Sequence, residues 1–317
     1  MRPESKQAML PKADRIAFTV IGIVALLAFA TVPFKDEIRS MVARKTAAPQ
    51  VQSAAESNTA DQNQRTKANP TLAVAQKWNM PAKLKEISGI AYVDAARFAC
   101  VEDEEGKIYI YNTQSQSIEK EIPFAAVGDY EGIAIAGNTA YVLRADGRLY
   151  EVANYNNKPT VVEHQTHLTA KQDVEGLCYD QKNNRLLLAI KGNEPNTSEY
   201  KGIYAFDLAN KKLNETPVLK IDLTHEIWKD IKSKQKIEPS DLDIHPLTGD
   251  IYITDGAKPK LLIMDAEGKK KNLLSLDETQ FPQPEGVAFT PEGELMISSE
   301  GKTGTGSIVK VNINGVQ

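Results

Sequence analysis

The sequence predicts an all-β protein, a β-propeller of four-stranded blades, and three observations indicate this fold. A short motif, an acidic or serine residue followed by glycine and apolar residues, recurs at a period near 44 residues. Each motif opens a series of short apolar strands separated by turn residues. The chain is 41% apolar, which is ordinary for a globular protein. Four short strands repeated at this period are typical of propeller blades, which must stack to bury both faces.

The repeats are counted by the second position of the motif, which is glycine in most units. These positions are Gly89, Gly132, Gly176, Asp241 and Gly286. They are separated by 43, 44, 65 and 45 residues. The long interval contains two insertions, Asn193 to Tyr200 and the helix-like Thr224 to Ile237, so we interpret it as one enlarged blade. The motif therefore predicts five blades, and six blades, obtained by splitting the long interval, are the alternative.

The two ends of the repeated region predict how the ring closes. The last unit has only three strands before Gln317, whereas a strand without a blade, Leu72 to Met80, precedes the first motif. We expect this strand to be the outer strand of the last blade, where it covers an exposed sheet edge. The propeller domain is therefore predicted to span residues 71–317.

The first 70 residues predict a membrane anchor. After an N-terminal tail of residues 1–15, Ile16 to Phe34 are 19 residues without a charge, the length that a helix needs to cross a bilayer. Residues 35–70 predict a juxtamembrane segment and a flexible linker, because they are poor in large apolar residues from Thr46 onward. A cleavable signal peptide is the alternative, since Ala28-Phe29-Ala30 has the form of a cleavage site. The retained anchor predicts a single-pass membrane protein with its large C-terminal domain outside the cell membrane; the family resemblance described below implies that this membrane is the inner membrane and that the domain is periplasmic.

The charge is divided unevenly along the chain. The total is −4, but residues 1–45 carry +4 and residues 71–317 carry −8. An acidic domain of this kind excludes nucleic acid as an expected partner. The predicted partners are the membrane, through Ile16 to Phe34, and an unidentified small ligand or envelope protein. Cys100 and Cys178 lie in apolar strands and are predicted to be buried free thiols.

Acidic residues recur at the start of the first strand of a blade, which lines the central channel of a propeller. They are Glu131, Glu175, Asp241 and Glu285. Carboxylates that converge on one channel repel each other unless a cation neutralises them, and hard oxygen ligands suit calcium or magnesium. We therefore predict these four as metal ligands, with no organic cofactor. The alternative is structural: each acid ties one blade to the next through hydrogen bonds to backbone N–H groups.

A second set of residues falls at the end of the second strand and differs in charge from blade to blade. It comprises Asp103, Arg144, Lys191, Asp255 and Glu300. A purely architectural position would not require this variation, so we predict that the set binds ligand. Arg144 and Lys191 could hold an anionic ligand or pair with the acids, and a salt-bridged channel without metal is as compatible with the pattern as a metal site.

Three of these segments together resemble the SdiA-regulated (YjiK-like) family of Gram-negative bacteria. They are Asp129 to Ala134, Pro239 to Ile244 and Pro284 to Phe289. The resemblance covers residues 71–317, and the anchor with its tether is also similar. It implies a propeller outside the inner membrane, with calcium as an expected ligand, in a family without a settled biochemical activity. The sequence departs from the pattern at Ser88 and at Ser240-Asp241, so a complete acidic ring is not expected.

The leading functional hypothesis is a membrane-tethered binding module. Its channel mouth would hold a divalent cation and a small ligand or protein partner, since no nucleophile stands beside a base in the sequence. The rival is a metal-dependent hydrolase, similar to lactonase-like or phytase-like phosphoesterase propellers. In that case ligand and general-base roles would be shared among Glu131, Glu175, Asp241, Asp255, Glu285 and Glu300. A third hypothesis is an envelope interaction scaffold with a salt-bridged channel.

Overall fold

The computed structural model describes residues 71–233 and 236–314, and the predicted anchor and linker lie outside these residues. Within them, no helix is long and apolar enough to span a membrane. The described residues form five antiparallel sheets, arranged as the blades of a propeller. The prediction of an all-β propeller with five blades is therefore confirmed, and the six-blade alternative is wrong.

The strands follow one another blade by blade, except that the first strand belongs to the last blade. Strand β1 spans Thr71–Asn79. Blade 1 contains β2 (Ile87–Asp94), β3 (Arg97–Glu102), β4 (Lys107–Asn112) and β5 (Ser117–Pro123), and blade 2 contains β6 (Tyr130–Ala136), β7 (Thr139–Arg144), β8 (Leu149–Ala153) and β9 (Thr160–His164). Blade 3 contains β10 (Val174–Asp180), β11 (Arg185–Ile190), β12 (Tyr200–Asp207), β13 (Lys212–Leu213) and β14 (Leu219–Asp222). Blade 4 contains β15 (Pro239–Ile244), β16 (Ile251–Asp255), β17 (Lys260–Met264) and β18 (Lys270–Ser275), and blade 5 contains β19 (Pro284–Phe289), β20 (Leu295–Ser299) and β21 (Ser307–Asn314) together with β1. Short 3₁₀ turns span Ala82–Leu84, Gln181–Asn183 and Glu226–Trp228.

The long repeat is one enlarged blade, as the sequence predicts. Two short strands, β13 and β14, both pair with β12 and share the position of the outer strand. The insertion predicted as helix-like contains, in its described part, one 3₁₀ turn at Glu226–Trp228. The Trp228 ring is buried, and its N–H donates to the carbonyl of Asp222 at 2.8 Å. These tertiary contacts hold the insertion against blade 3 and replace the regular hydrogen bonds of a helix.

Strand β1 closes the ring as the outer strand of blade 5, which confirms the prediction. It pairs antiparallel with β21 from Thr71 opposite Asn314 to Asn79 opposite Ser307. Near its end, Trp78 packs with Met80 and other buried side chains at the contact of blades 5 and 1. Blade 5 therefore contains strands from both ends of the described chain, and β1 covers the edge of β21 that would otherwise be open.

The core is divided into five apolar clusters, one at each contact between neighbouring blades. Between blades 1 and 2, for example, Ile110 and Ala99 pack with Ile133 and Val142. Both faces of every sheet are covered in this way, because a four-stranded sheet alone cannot bury its two apolar faces. Cys100 and Cys178 are buried free thiols, as predicted.

The motif glycines allow the inner strands of neighbouring blades to approach closely around the channel. A Cβ atom on Gly132 would lie 2.8 Å from the carbonyl oxygen of Glu175, and one on Gly286 would lie 2.9 Å from that of Ser88. Both distances are shorter than a Cβ contact allows, so the backbones would have to separate. Glycine is required here by close packing rather than by a positive φ angle.

Candidate functional site

The two predicted sets of residues lie at the same end of the central channel. In each blade the start of the first strand pairs with the end of the second, as Tyr130 does with Arg144 and Pro239 with Asp255. We call this end the channel mouth. It carries Glu131, Glu175, Asp241 and Glu285 from the first set and Asp103, Arg144, Lys191, Asp255 and Glu300 from the second.

A bulge interrupts every inner strand at the motif. The pairing of first and second strands shifts between Tyr130 and Gly132, and between Val174 and Gly176. Corresponding shifts occur in β2, β15 and β19. Glu131 and Glu175 are the extra residues, so neither has a residue opposite it in the ladder. Bulges of this kind redirect a side chain away from the sheet, and they are frequent next to functional sites.

Asp241 ties three blades together. Its Oδ1 accepts a hydrogen bond from the N–H of Leu177 in blade 3 at 3.0 Å, and its Oδ2 accepts one from Val287 in blade 5 at 2.9 Å. Burial raises the pKa of Asp241, against the opposing effect of the backbone donors. Hydrogen bonds from a channel acid to backbone N–H groups of other blades are what the structural alternative predicts for these acids. A metal-ligand role for Asp241 stays a prediction, and both of its oxygens already have partners.

The other three acids of the first set are glutamates with raised pKa values. Burial, followed by the charge of Glu175, raises the pKa of Glu131 to about 10. Burial raises the pKa of Glu175 to about 8, in spite of the nearby ammonium of Lys191. Burial also raises the pKa of Glu285 to about 7. Three blades thus present carboxyl groups to one poorly solvated space, where each additional negative charge is unfavourable.

Lys191 supplies a positive charge among these acids. Its Nζ donates to Glu175 Oε1 at 2.6 Å. Burial lowers the pKa of Lys191, but the charges of Glu175 and Glu285 outweigh burial and raise it above its usual value. The backbone of Lys191 is held in turn by Lys201, a buried residue whose Nζ donates to the carbonyls of Lys191 and Gly192. Lys201 was not among the residues predicted from the sequence.

Two carboxylate oxygens at the mouth are buried without a hydrogen-bond partner among the described residues: Glu175 Oε2 and Asp103 Oδ1. Glu175 is only 5% exposed. Burial, followed by the charge of Glu86, raises the pKa of Asp103, and the charge of Asp103 in turn raises the pKa of the partly buried Glu300. A buried acceptor without a donor is unfavourable and uncommon in folded proteins, so both oxygens are candidate contacts for a ligand.

Two members of the second set, Asp255 and Arg144, have partners close to them in the chain. Asp255 accepts hydrogen bonds from the backbone N–H groups of Glu238 and Lys258, each at 2.9 Å, and from Lys260 Nζ at 2.7 Å. Arg144 pairs with Asp146. The structure therefore brings Glu131, Glu175 and Glu285 together around Lys191, with Asp103 and Glu300 beside them. Arg144, Asp241 and Asp255 make structural contacts.

Further acids at the mouth were missed from the sequence. Asp129 raises the pKa of Glu131, Asp173 raises that of Glu175, and Glu86 raises those of Asp103 and Glu300. A repeated signal could have identified them, because each lies two residues before the first position of the motif. The same spacing gives Glu238 in blade 4 and Gln283 in blade 5.

The predicted metal ligands fit a calcium ion in chemistry but not in arrangement. Carboxylate oxygens are the donors that calcium prefers, and Glu175 Oε2 is free to bind. In residues 71–233 and 236–314, however, no three His, Cys, Asp or Glu side chains are grouped closely enough to hold a metal ion as they stand. Calcium therefore remains a prediction from the sequence.

The raised pKa of Glu131 predicts how the stability of the propeller depends on pH. The folded protein keeps a proton on Glu131 that the unfolded chain releases above pH 4.5, so stability is lost as the pH rises from 4.5 toward 10. We expect Glu131→Gln to leave stability unchanged at pH 4. At pH 8 it should add about 1–3 kcal/mol to the free energy of unfolding. Urea denaturation at the two pH values measures the difference.

The control for this prediction is Glu267→Gln, an exposed residue in the turn between β17 and β18, at the opposite end of its blade. This variant should follow the wild-type stability at both pH values. If Glu131→Gln also follows the wild type, Glu131 is not protonated in the folded protein at pH 8.

The fold and the channel mouth define this protein as a five-bladed β-propeller with an acidic inner rim. The sequence pattern of the SdiA-regulated family matches residues 66–303, so the chain belongs to the SdiA-regulated family. This confirms the resemblance noted in the sequence. No curated protein sequence matches the chain at a significant level.

Solved structures with similar folds include enzymes of several kinds. A glutaminyl cyclase from Myxococcus xanthus has a TM-score of 0.55 and 15% identity, over 78% of this chain and 97% of that chain. A PQQ-bound aldose sugar dehydrogenase from Streptomyces coelicolor has a TM-score of 0.49 and 11% identity, over 78% and 99%. A virginiamycin B lyase from Staphylococcus aureus has a TM-score of 0.42 and 12% identity, over 74% and 68%. At 15% identity the likeness to the glutaminyl cyclase shows the fold alone.

Proposed function

We propose that this protein is a membrane-tethered, extracytoplasmic binding module that holds a cation at its channel mouth, together with a small ligand or an envelope protein. The observation that carries the proposal is Glu175 Oε2, a buried carboxylate oxygen without a hydrogen-bond partner in the described residues. It lies among carboxyl groups that Lys191 neutralises only in part, because Lys191 reaches one oxygen of one glutamate. An additional cation would offset the remaining repulsion.

Divalent cations are the first probes of this site, since calcium and magnesium are the ions predicted from the sequence. We expect millimolar calcium to raise the melting temperature of the full-length protein in detergent by about 5–10 °C at pH 8. The shift should be smaller at pH 5.5, because the ion must then displace protons from Glu175 and Glu285. Differential scanning calorimetry with calcium, magnesium or chelator measures it.

Two variants test whether the mouth is responsible for the shift. Glu175→Gln should reduce it to less than half, whereas Glu267→Gln, in the turn at the other end of blade 4, should leave it unchanged. An equal shift in all three proteins would place the ion outside the mouth. The absence of any shift with either ion would remove the divalent cation from the proposal.

The membrane tether is proposed from the uncharged segment Ile16 to Phe34 and the polar stretch that follows it. A retained anchor with positive charges before it would leave the propeller in the periplasm of a Gram-negative cell. We expect a C-terminal alkaline phosphatase fusion to be active and to sediment with the inner membrane. A fusion active only as a cytoplasmic reporter would contradict this orientation, and a fusion released from the membrane would favour the cleavable signal peptide.

A metal-dependent hydrolase is the second candidate function, and one observation favours it. Burial raises the pKa of Glu285 to about 7, the range in which a carboxylate can act as a general base at neutral pH. Lactone or phosphoester hydrolysis that requires calcium and is lost in Glu285→Gln would establish this activity in place of simple binding.

A further inference from the structure

The acidic groups of the channel mouth come from two pairs of neighbouring blades, which we call the two sides of the mouth. Glu131 and Glu175 come from blades 2 and 3, whereas Asp103 and Glu300 come from blades 1 and 5. Glu285 lies within electrostatic range of both Lys191 and Glu300 and so connects the two sides. Among the described residues these acids do not converge on a single point that could hold a metal ion. A ligand that satisfies both sides must therefore carry more than one positive centre.

Each side of the mouth has one buried acceptor available to such a ligand. Three buried side-chain polar atoms in the described residues have no hydrogen-bond partner, and two of them are Glu175 Oε2 and Asp103 Oδ1. Glu175 is nine-tenths buried, and its other oxygen is already bonded to Lys191. The two acceptors therefore belong to blades 3 and 1, which blade 2 separates in the ring, and neither is part of a group of three possible metal ligands among the described residues.

Lys191 indicates which kind of cation suits these acceptors. Its side chain is an alkylammonium, and it contacts Glu175 Oε1 at 2.6 Å within the mouth. An ammonium group needs only one to three acceptors, whereas calcium takes six to eight oxygen ligands around one point. The mouth offers isolated carboxylate oxygens, which match the requirement of ammonium groups.

We propose that the channel mouth binds a linear organic diamine or polyamine, with one ammonium group at Glu175 Oε2 and another at Asp103 Oδ1. This inference rests on the proposed cation-binding function and names the class of its ligand. The alkyl chain of the ligand would cross the channel between blade 3 and blade 1, beside the methylene groups of Lys191.

Isothermal titration of the full-length protein in detergent tests the inference. The probes are 1,4-diaminobutane, 1,6-diaminohexane, spermidine and butylamine, together with calcium chloride, all at one ionic strength. We expect at least one diamine or spermidine to bind about tenfold more tightly than butylamine, because two charge-assisted hydrogen bonds replace one. Calcium should bind more weakly than that amine.

The variants separate the two sides of the mouth. Glu175→Gln and Asp103→Asn should each weaken binding of the best diamine about tenfold and bring it close to that of butylamine. Glu267→Gln should not change it. Asp103 is less buried than Glu175, so Asp103→Asn is the informative variant if Glu175→Gln fails to fold.

The outcomes distinguish the inference from the function on which it rests. Equal affinity for diamines and butylamine, or diamine binding unchanged by Asp103→Asn, would overturn the inference. Calcium binding without amine binding would also overturn it, while leaving the cation-binding module in place. If neither calcium, magnesium nor any of the amines binds, both the inference and the proposed function fail.

Discussion

Replacing Asp241 by alanine is expected to lower the free energy of unfolding by about 3–5 kcal/mol. The carboxylate accepts hydrogen bonds from Leu177 and Val287, and both N–H groups would be left buried without a partner. Asp241 is 1% exposed, so water cannot easily replace it. Urea denaturation of the full-length protein, followed by tryptophan fluorescence, measures the loss.

Two further variants show that the loss comes from the contacts between blades. Asp241→Asn keeps one acceptor oxygen and should lose about half as much stability. Asp230→Asn, at an exposed position, should lose less than about 0.5 kcal/mol. If Asp241→Ala were as stable as the wild type, the two hydrogen bonds would contribute nothing to joining blades 3, 4 and 5.

Deleting β1, residues Thr71–Asn79, is expected to abolish cooperative unfolding of the propeller. The deletion removes the outer strand of blade 5 and exposes the edge of β21, which is eight residues long. It also removes Trp78, a buried member of the cluster between blades 5 and 1. An open, apolar strand edge of this length favours aggregation. Circular dichroism melting and size-exclusion chromatography measure both effects.

The matched controls keep the chain length and leave the backbone pairing of β1 with β21 in place. Val74 lies next to the bulge of β1 and is 41% exposed. Val74→Ala should therefore shift the melting temperature by less than about 3 °C, whereas Trp78→Ala should lower it by about 6–15 °C. A deletion variant that still melts cooperatively would show that four blades and three strands are sufficient for the ring.

Most of the fold could be predicted because the repeat is local. Each blade opens with a motif of a few residues, and three of the four intervals between motifs are 43 to 45 residues, which indicates five blades without any knowledge of long-range contacts. The enlarged third blade and the closure by β1 followed from the same count. The inserted segment was predicted less well, since the position of Trp228 in the core decides its conformation.

The location of the site could be predicted from the sequence, but the role of each acidic residue in it could not. The acids at the ends of the first two strands were found because antiparallel pairing places those ends together. The sequence alone treats Glu175 and Asp241 as equivalent members of one ring. In the folded protein one oxygen of Glu175 accepts from Lys191 and the other has no partner among the described residues, whereas both oxygens of Asp241 accept from backbone N–H groups of neighbouring blades.

The sequence by itself determined the family, the repeated strands and the acidic character of the channel mouth, and it favoured five blades over six, because these depend on residue type and spacing. Only the tertiary structure decided which acids are free. A hydrogen bond to an amide 46 or 64 residues away, as Asp241 makes, depends on how the blades turn around the common axis. The bulges that release Glu131 and Glu175 from the ladder are likewise visible only in the folded sheets, where the strand pairing shifts next to Gly132 and Gly176.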